Sequence, residues 1–176
     1  MVELRVFSFS AIEGIPSFIY IGFIAIFCIG TAFLLWRKGW KEGLRGSTLI
    51  LLAEWVFLVI GTSVIFRESG DDYRIRLLPL ISYFEQGENS YFIEAAALNI
   101  LNIVLFFPVG LLLGCGYKNM SWRRAMGIGV LLSVSIEILQ LIFKRGLCEV
   151  DDVIHNVLGC MVGYGIYKLA NLLIRR

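Results

Sequence analysis

The chain has 176 residues, of which 58% are hydrophobic and 17% charged, with a mean hydropathy of +0.78 and a formal net charge of +2. A water-soluble domain of this length carries roughly a quarter charged residues, so this chain lacks the polar surface to cover itself and reads as an integral membrane protein in a single domain, residues 1–176. No basic run is interleaved with exposed aromatics, which argues against nucleic-acid binding. The four cysteines, Cys28, Cys115, Cys148 and Cys160, fall one to a segment and offer no disulfide framework.

Crossing about 30 Å of hydrocarbon takes about 20 apolar residues, and hydropathy predicts five such runs: 15–36, 47–66, 95–114, 125–143 and 153–173. The first is too long for the apolar core of a signal peptide, and no small-residue cleavage site follows it, so it is expected to stay as a helix. Between the second and third runs lies the longest connection, residues 67–94. Its stretch IRLLPLISYF, 75–84, is too short to cross and is broken by Pro79. The expected fold class is therefore an all-α membrane protein of about five transmembrane helices, with an interfacial or re-entrant segment in the long outer loop. Pro108 falls inside the third run, where it removes a backbone hydrogen bond and acts either as a packing kink or as a hinge.

Lysine and arginine divide the loops. Arg37, Lys38, Lys41 and Arg45, then Lys118, Arg123 and Arg124, then Arg175 and Arg176 make nine basic residues beside one acid, Glu42. The alternate loops hold six basic residues beside eleven acids. The positive-inside rule then predicts the N-terminus outside and the C-terminus inside, with an acidic outer face.

Polar side chains inside the apolar runs cost several kcal/mol each unless they pair or work. At about 1.5 Å per helical residue, Asn99 and Asn102 near the start of the third run, Glu137 and Gln140 near the end of the fourth, and Asp151, Asp152, His155 and Asn156 at the start of the fifth all reach similar depth. Arg145 and Glu149 lie in the loop beside them. These residues are expected to line one polar pocket open to the outside. Two plainer readings stand beside this: Asp151 or Asp152 caps the fifth helix, and Glu137 with Gln140 clasps Asn102 or Asn156. His155 is the only histidine, and the acids and Cys148 near it lack the ordered spacing of a structural zinc site, so no metal centre is expected. Glu54 stands alone in the second run, as interhelical glue, through a base such as Lys168, or as a proton carrier. Gly110 and Gly114, and Gly159 and Gly163, form small-xxx-small pairs that should bring the third, fourth and fifth helices close together.

Three stretches, NIVLFFPVG (102–110), SIEILQ (135–140) and EVDDVIHNVLGCMVGY (149–164), resemble the VanZ-like family of bacterial membrane proteins, best over residues 99–167. A further family element, an arginine followed by Asn-Leu-x-Pro-Phe, stands here as RIRLLPL (74–80), with Arg76 where asparagine is usual and Leu80 where phenylalanine is usual. The resemblance implies a multi-pass protein of the bacterial cytoplasmic membrane. The family's namesake is associated with resistance to teicoplanin, a lipid-tailed glycopeptide.

Three functions follow as expectations. The first is an outward pocket binding an amphiphilic or cell-wall-linked ligand, with the lipid bilayer as its other partner. The second is an outer-leaflet enzyme using the acids on a lipid or cell-wall substrate, alone or with Mg²⁺. The third is a proton-coupled transporter. Catalytic residues, cofactor and oligomeric state stay unassigned.

Overall fold

The computed structural model describes residues 17–80 and 89–174. It contains five helices long and apolar enough to cross a membrane. The helical run Ser17–Ile60 is interrupted at Gly39, whose φ of 74° suits glycine far better than any other residue. That break makes a hairpin of two arms, α1 (span Gly22–Trp40) and α2 (span Glu42–Ile65). The arms lie antiparallel: Gly43 abuts Leu35, Gly30 abuts Ile50, and the Phe23 and Phe57 rings meet edge to face at 5.2 Å. The turn falls inside the predicted connection, 37–46, but is shorter, because charged residues at both its ends, Arg37 and Lys38 before and Glu42 and Arg45 after, continue the helices beyond their apolar parts.

Three more helices follow: α3, Asn89–Gly116; α4, Trp122–Ile142; and α5, Val150–Ile174. Two short strands, β1 (Ile75–Arg76) and β2 (Cys148–Glu149), pair in parallel. Residues 37–46 around the Gly39 break and 117–124 at the start of α4 mark a basic end of the bundle. Segments 66–80 and 143–152 mark an acidic end. In the long connection, residues 75–80 form β1 and a turn, and residues 81–88 lie outside the described residues, so the expected interfacial segment is described only in its first part.

Helices α3 and α5 are the central pair, with α2 against α3 and α4 against α5. Their closeness is set by glycine. A Cβ on Gly159 would run into the Ile103 backbone, one on Gly163 into the Phe107 carbonyl, and one on Gly110 into the Cys160 carbonyl; Gly114 holds the Tyr167 ring against its bare face. All four predicted glycines thus serve one interface, where dispersion rather than hydrophobicity holds helices together inside lipid. The core around it also takes in Val59 and Val64 of α2, beyond the three helices expected.

Pro108 sits within continuous helix. It has no N–H to give the Val104 carbonyl four residues back, and one residue further on Trp55 of α2 donates its indole N–H to the Leu105 carbonyl at 2.9 Å, tying this stretch of α3 to α2. At the basic end Tyr164, fully buried, donates to the Met120 carbonyl at 2.6 Å and meets Trp122 edge-on at 4.9 Å.

Candidate functional site

The acidic end gathers the polar residues that spacing placed at equal depth. Asn99, Asn102, Glu137, Gln140, Asp151 and Asn156 are each at most 9% exposed. Asn102 donates its amide to Asp152 Oδ1 at 2.7 Å, joining α3 to α5. Asn156 donates to Ser133 Oγ at 2.9 Å, joining α5 to α4. Glu137 Oε2 accepts the Glu149 backbone N–H at 3.0 Å, so the α4 carboxylate anchors the turn that leads into α5. Gln140 shares a helix face with Glu137 yet bonds elsewhere, donating to the Ser63 carbonyl of α2 at 3.1 Å. At this end two buried acceptors, Gln140 Oε1 and Asn156 Oδ1, have no hydrogen-bond partner among the described residues.

Ser63 belongs to a π-helical turn, Gly61–Ile65, that ends α2. Wider turns of this kind leave carbonyls turned outward and recur at functional sites. Arg145 caps these carbonyls, donating Nη1 to Val64 O at 2.7 Å and to Ile65 O. A cation on a helix C-terminus is favourable by charge as well as by hydrogen bonding.

A covering segment, residues 67–80, lies over this cluster. Arg76 pairs with Glu149 and the Leu80 N–H donates to Asp151 Oδ1 at 2.6 Å, so Asp151, in the first turn of α5 with Asp152, also grips the cover. Leu80 has φ 63°, an unfavourable conformation for leucine that the Asp151 bond helps hold. Further along, the Gly70 N–H donates to Lys144 O at 2.7 Å, Ser69 Oγ donates to Phe143 O at 3.0 Å, and the Lys144 ammonium donates to Asp71 O at 3.0 Å. His155 turns back on its own helix, its Nδ1 donating to the Asp151 carbonyl at 2.6 Å.

The structure therefore unites the predicted residues, but under a cover. Of the two cavities described, both lie elsewhere, along α4 toward the basic end. The clasp expected from Glu137 and Gln140 to Asn102 or Asn156 is replaced by bonds to Glu149 and Ser63. Glu54 forms no ion pair with Lys168, whose ammonium instead sits over the Tyr164 ring at 5.6 Å. Among the described residues no three or more of His, Cys, Asp and Glu gather as metal ligands.

Residue-level reading of the sequence missed Arg67 and Cys148 as members. Arg67 packs its guanidinium against Gly146, within electrostatic reach of both Glu137 and Asp152. Its signal was visible: the first residue after an apolar run, basic among acids. Cys148 lies beside Glu137, and burial followed by that carboxylate's charge pushes its thiol above the ordinary range.

The arrangement stacks two carboxylates, Glu137 and Asp152, beneath a cover that is itself held by carboxylate contacts. Comparison with known proteins identifies the family. The chain is 29% identical over 127 residues to Protein VanZ of Enterococcus faecium, covering 72% of this chain and 74% of that one. No solved structure matches it. The model of the VanZ/LLP1 family matches residues 19–171, a range that takes in every residue of the cluster and of its cover. The chain is a multi-pass membrane protein that belongs to the VanZ/LLP1 family.

Proposed function

We propose that this protein is a cell-envelope factor that binds a lipid-tailed glycopeptide of the teicoplanin type at its acidic end and so contributes to resistance against it. The observation that carries the reading is the cover. Segment 67–80 runs beside the buried Glu137 and the half-buried Asp152, and its bonds to the residues around them are a two-residue ladder and exposed or half-buried hydrogen bonds. Two-stranded pairings of this size are marginal by themselves, so local opening costs far less than unfolding. Its second half presents an apolar face, with Ile75, Leu77 and Leu78 each more than half exposed. An amphiphile has a use for both: the cover's apolar face suits a tail, and the uncovered carboxylates suit cationic groups. The family and the likeness to Protein VanZ support the same direction.

Expression in a susceptible host should raise tolerance to the lipid-tailed glycopeptide more than to a glycopeptide lacking the tail. Equal or absent protection would remove the assignment.

The reading also needs the acidic end outside, with the N-terminus out and the C-terminus in, as the division of basic residues supports. An impermeant thiol reagent applied to intact cells should then label Cys148 and leave Cys115 unlabelled. Because the Cys148 thiol is pushed up and only its thiolate reacts, labelling should accelerate as pH rises beyond the ordinary thiol range. Labelling of Cys115 alone would invert the topology.

A further inference from the structure

A groove runs along α4 on the side away from the acidic cluster. At the basic end it is lined by Tyr117, Asn119, Met120, Arg124, Gly127 and Leu131, and it encloses about 570 Å³. Deeper, between Val56 and Ile60 of α2 and Leu132 and Ser135 of α4, it encloses about 400 Å³ over a floor of Val109 and Leu113 from α3. Ile128 and Leu131 line both parts, so the two adjoin along α4. Its cause is the splay of α2 from α4. The two are tied at the acidic end by Gln140 and Ser63, and farther down α3 lies between them.

We propose that this groove is a binding site for one anionic phospholipid of the leaflet at the basic end. Three properties select that occupant. The first is length: eleven helical residues separate Arg124 from Ser135, about 16 Å, which is roughly half the hydrocarbon thickness and so the reach of one leaflet's acyl chain. The second is polarity. The deep part is apolar, and the Ser135 hydroxyl is turned onto the Leu131 carbonyl at 2.7 Å, which keeps that wall free of an unmet donor. The third is charge at the mouth. Lys118 is already paired with Glu42 at 2.9 Å, but among the described residues no carboxylate pairs with Arg124. Its guanidinium spends one bond on the Asn119 carbonyl at 2.9 Å and keeps its other donors for a phosphate.

The mouth is also held in place. Tyr164 fixes Met120, and Arg124 fixes Asn119, so the loop 117–121 has its shape before a lipid arrives. Gly127 leaves the entrance clear: a Cβ placed there meets nothing within 4 Å. Both volumes fall in the range of small-molecule sites, about 300–1,000 Å³. Basic pockets between transmembrane helices are a recurrent form of anionic headgroup recognition.

The test uses the purified full chain in nanodiscs of equal parts phosphatidylglycerol and phosphatidylcholine, with retained lipids counted by native mass spectrometry. The parent should retain one phosphatidylglycerol in preference to phosphatidylcholine. Arg124→Gln should lower that preference about tenfold, and Gly127→Leu should reduce retention of both lipids, while both variants melt like the parent. Should Arg124→Gln melt early, Gly127→Leu decides the outcome, since nothing crowds that position. Equal retention of the two lipids by the parent, or an unchanged preference in Arg124→Gln, would overturn the proposal. Displacement of the bound lipid by glycerol 3-phosphate would also overturn it, since the site would then take a soluble phosphate.

Discussion

Replacing Gly159 and Gly163 together by alanine should remove the folded protein from the membrane. Each new Cβ lands on backbone of α3, against the Ile103 α-carbon at 2.8 Å and the Phe107 carbonyl carbon at 2.9 Å, and backbone cannot rotate out of the way as a side-chain tip can. Helices α3 and α5 would have to separate, and the pair is the centre of the bundle. Overpacking a well-filled interior costs about 1–3 kcal/mol per site and more where the backbone must move, against a total stability of about 5–15 kcal/mol. The single change Gly110→Ala, which meets the Cys160 carbonyl carbon at 2.7 Å, should lower stability by about 3 kcal/mol. Gly22→Ala is the control. Its Cβ meets nothing, and alanine favours helix by about 1 kcal/mol. Detergent-solubilised yield and thermal melting check the series, and an unchanged melt for the double variant would refute the glycine interface.

Changing Glu137 to glutamine should abolish resistance while leaving the fold in place. The amide oxygen still accepts the Glu149 N–H, so stability should fall by under about 1.5 kcal/mol. The negative charge is lost, and with it the attraction for a cationic group once the cover lifts. Asp152→Asn follows the same logic on α5, since its remaining oxygen still accepts from Asn102. Tolerance to the lipid-tailed glycopeptide should fall to the level of the host alone in either variant, with membrane accumulation and melting unchanged. Full tolerance in both would show that the carboxylates only pack.

How much of this was legible in the sequence follows from what each feature depends on. Span number depends on local hydropathy, and all five helices appear where runs of apolar residues stand. The glycine stripe depends on helical period, and Gly159 and Gly163 face α3 as their spacing of four requires. Depth is also a local property, which is why Asn102 reaches Asp152 and why Glu137 and Asn156 make their own bonds at the same end. Azimuth is not. Glu137 and Gln140 lie three apart on one helix face, yet which neighbour each meets depends on how α2 is placed, and its π-helical end drew Gln140 away from the cluster. The cover was the hardest part to read. Its bonds join residues more than seventy apart, such as Leu80 with Asp151 and Arg76 with Glu149, and no local pattern encodes them. Arg67 carried a local signal, a base directly after an apolar run, but its neighbour Gly146 lies far along the chain and could not be read from that signal.

The cover also supplies the most direct test. In the parallel ladder Ile75 stands opposite Cys148. Paired strands lie about 4.8 Å apart, inside the spacing of about 4.4–6.8 Å at which a disulfide closes without moving the backbone. The change Ile75→Cys therefore puts a reversible bolt across the cover using the native Cys148. Binding of teicoplanin to the purified full chain in nanodiscs would be measured with the bond formed and after its reduction, with the oxidised parent as control. The account predicts binding that is lost in the bonded form and restored by reduction; equal binding in the two forms would contradict it.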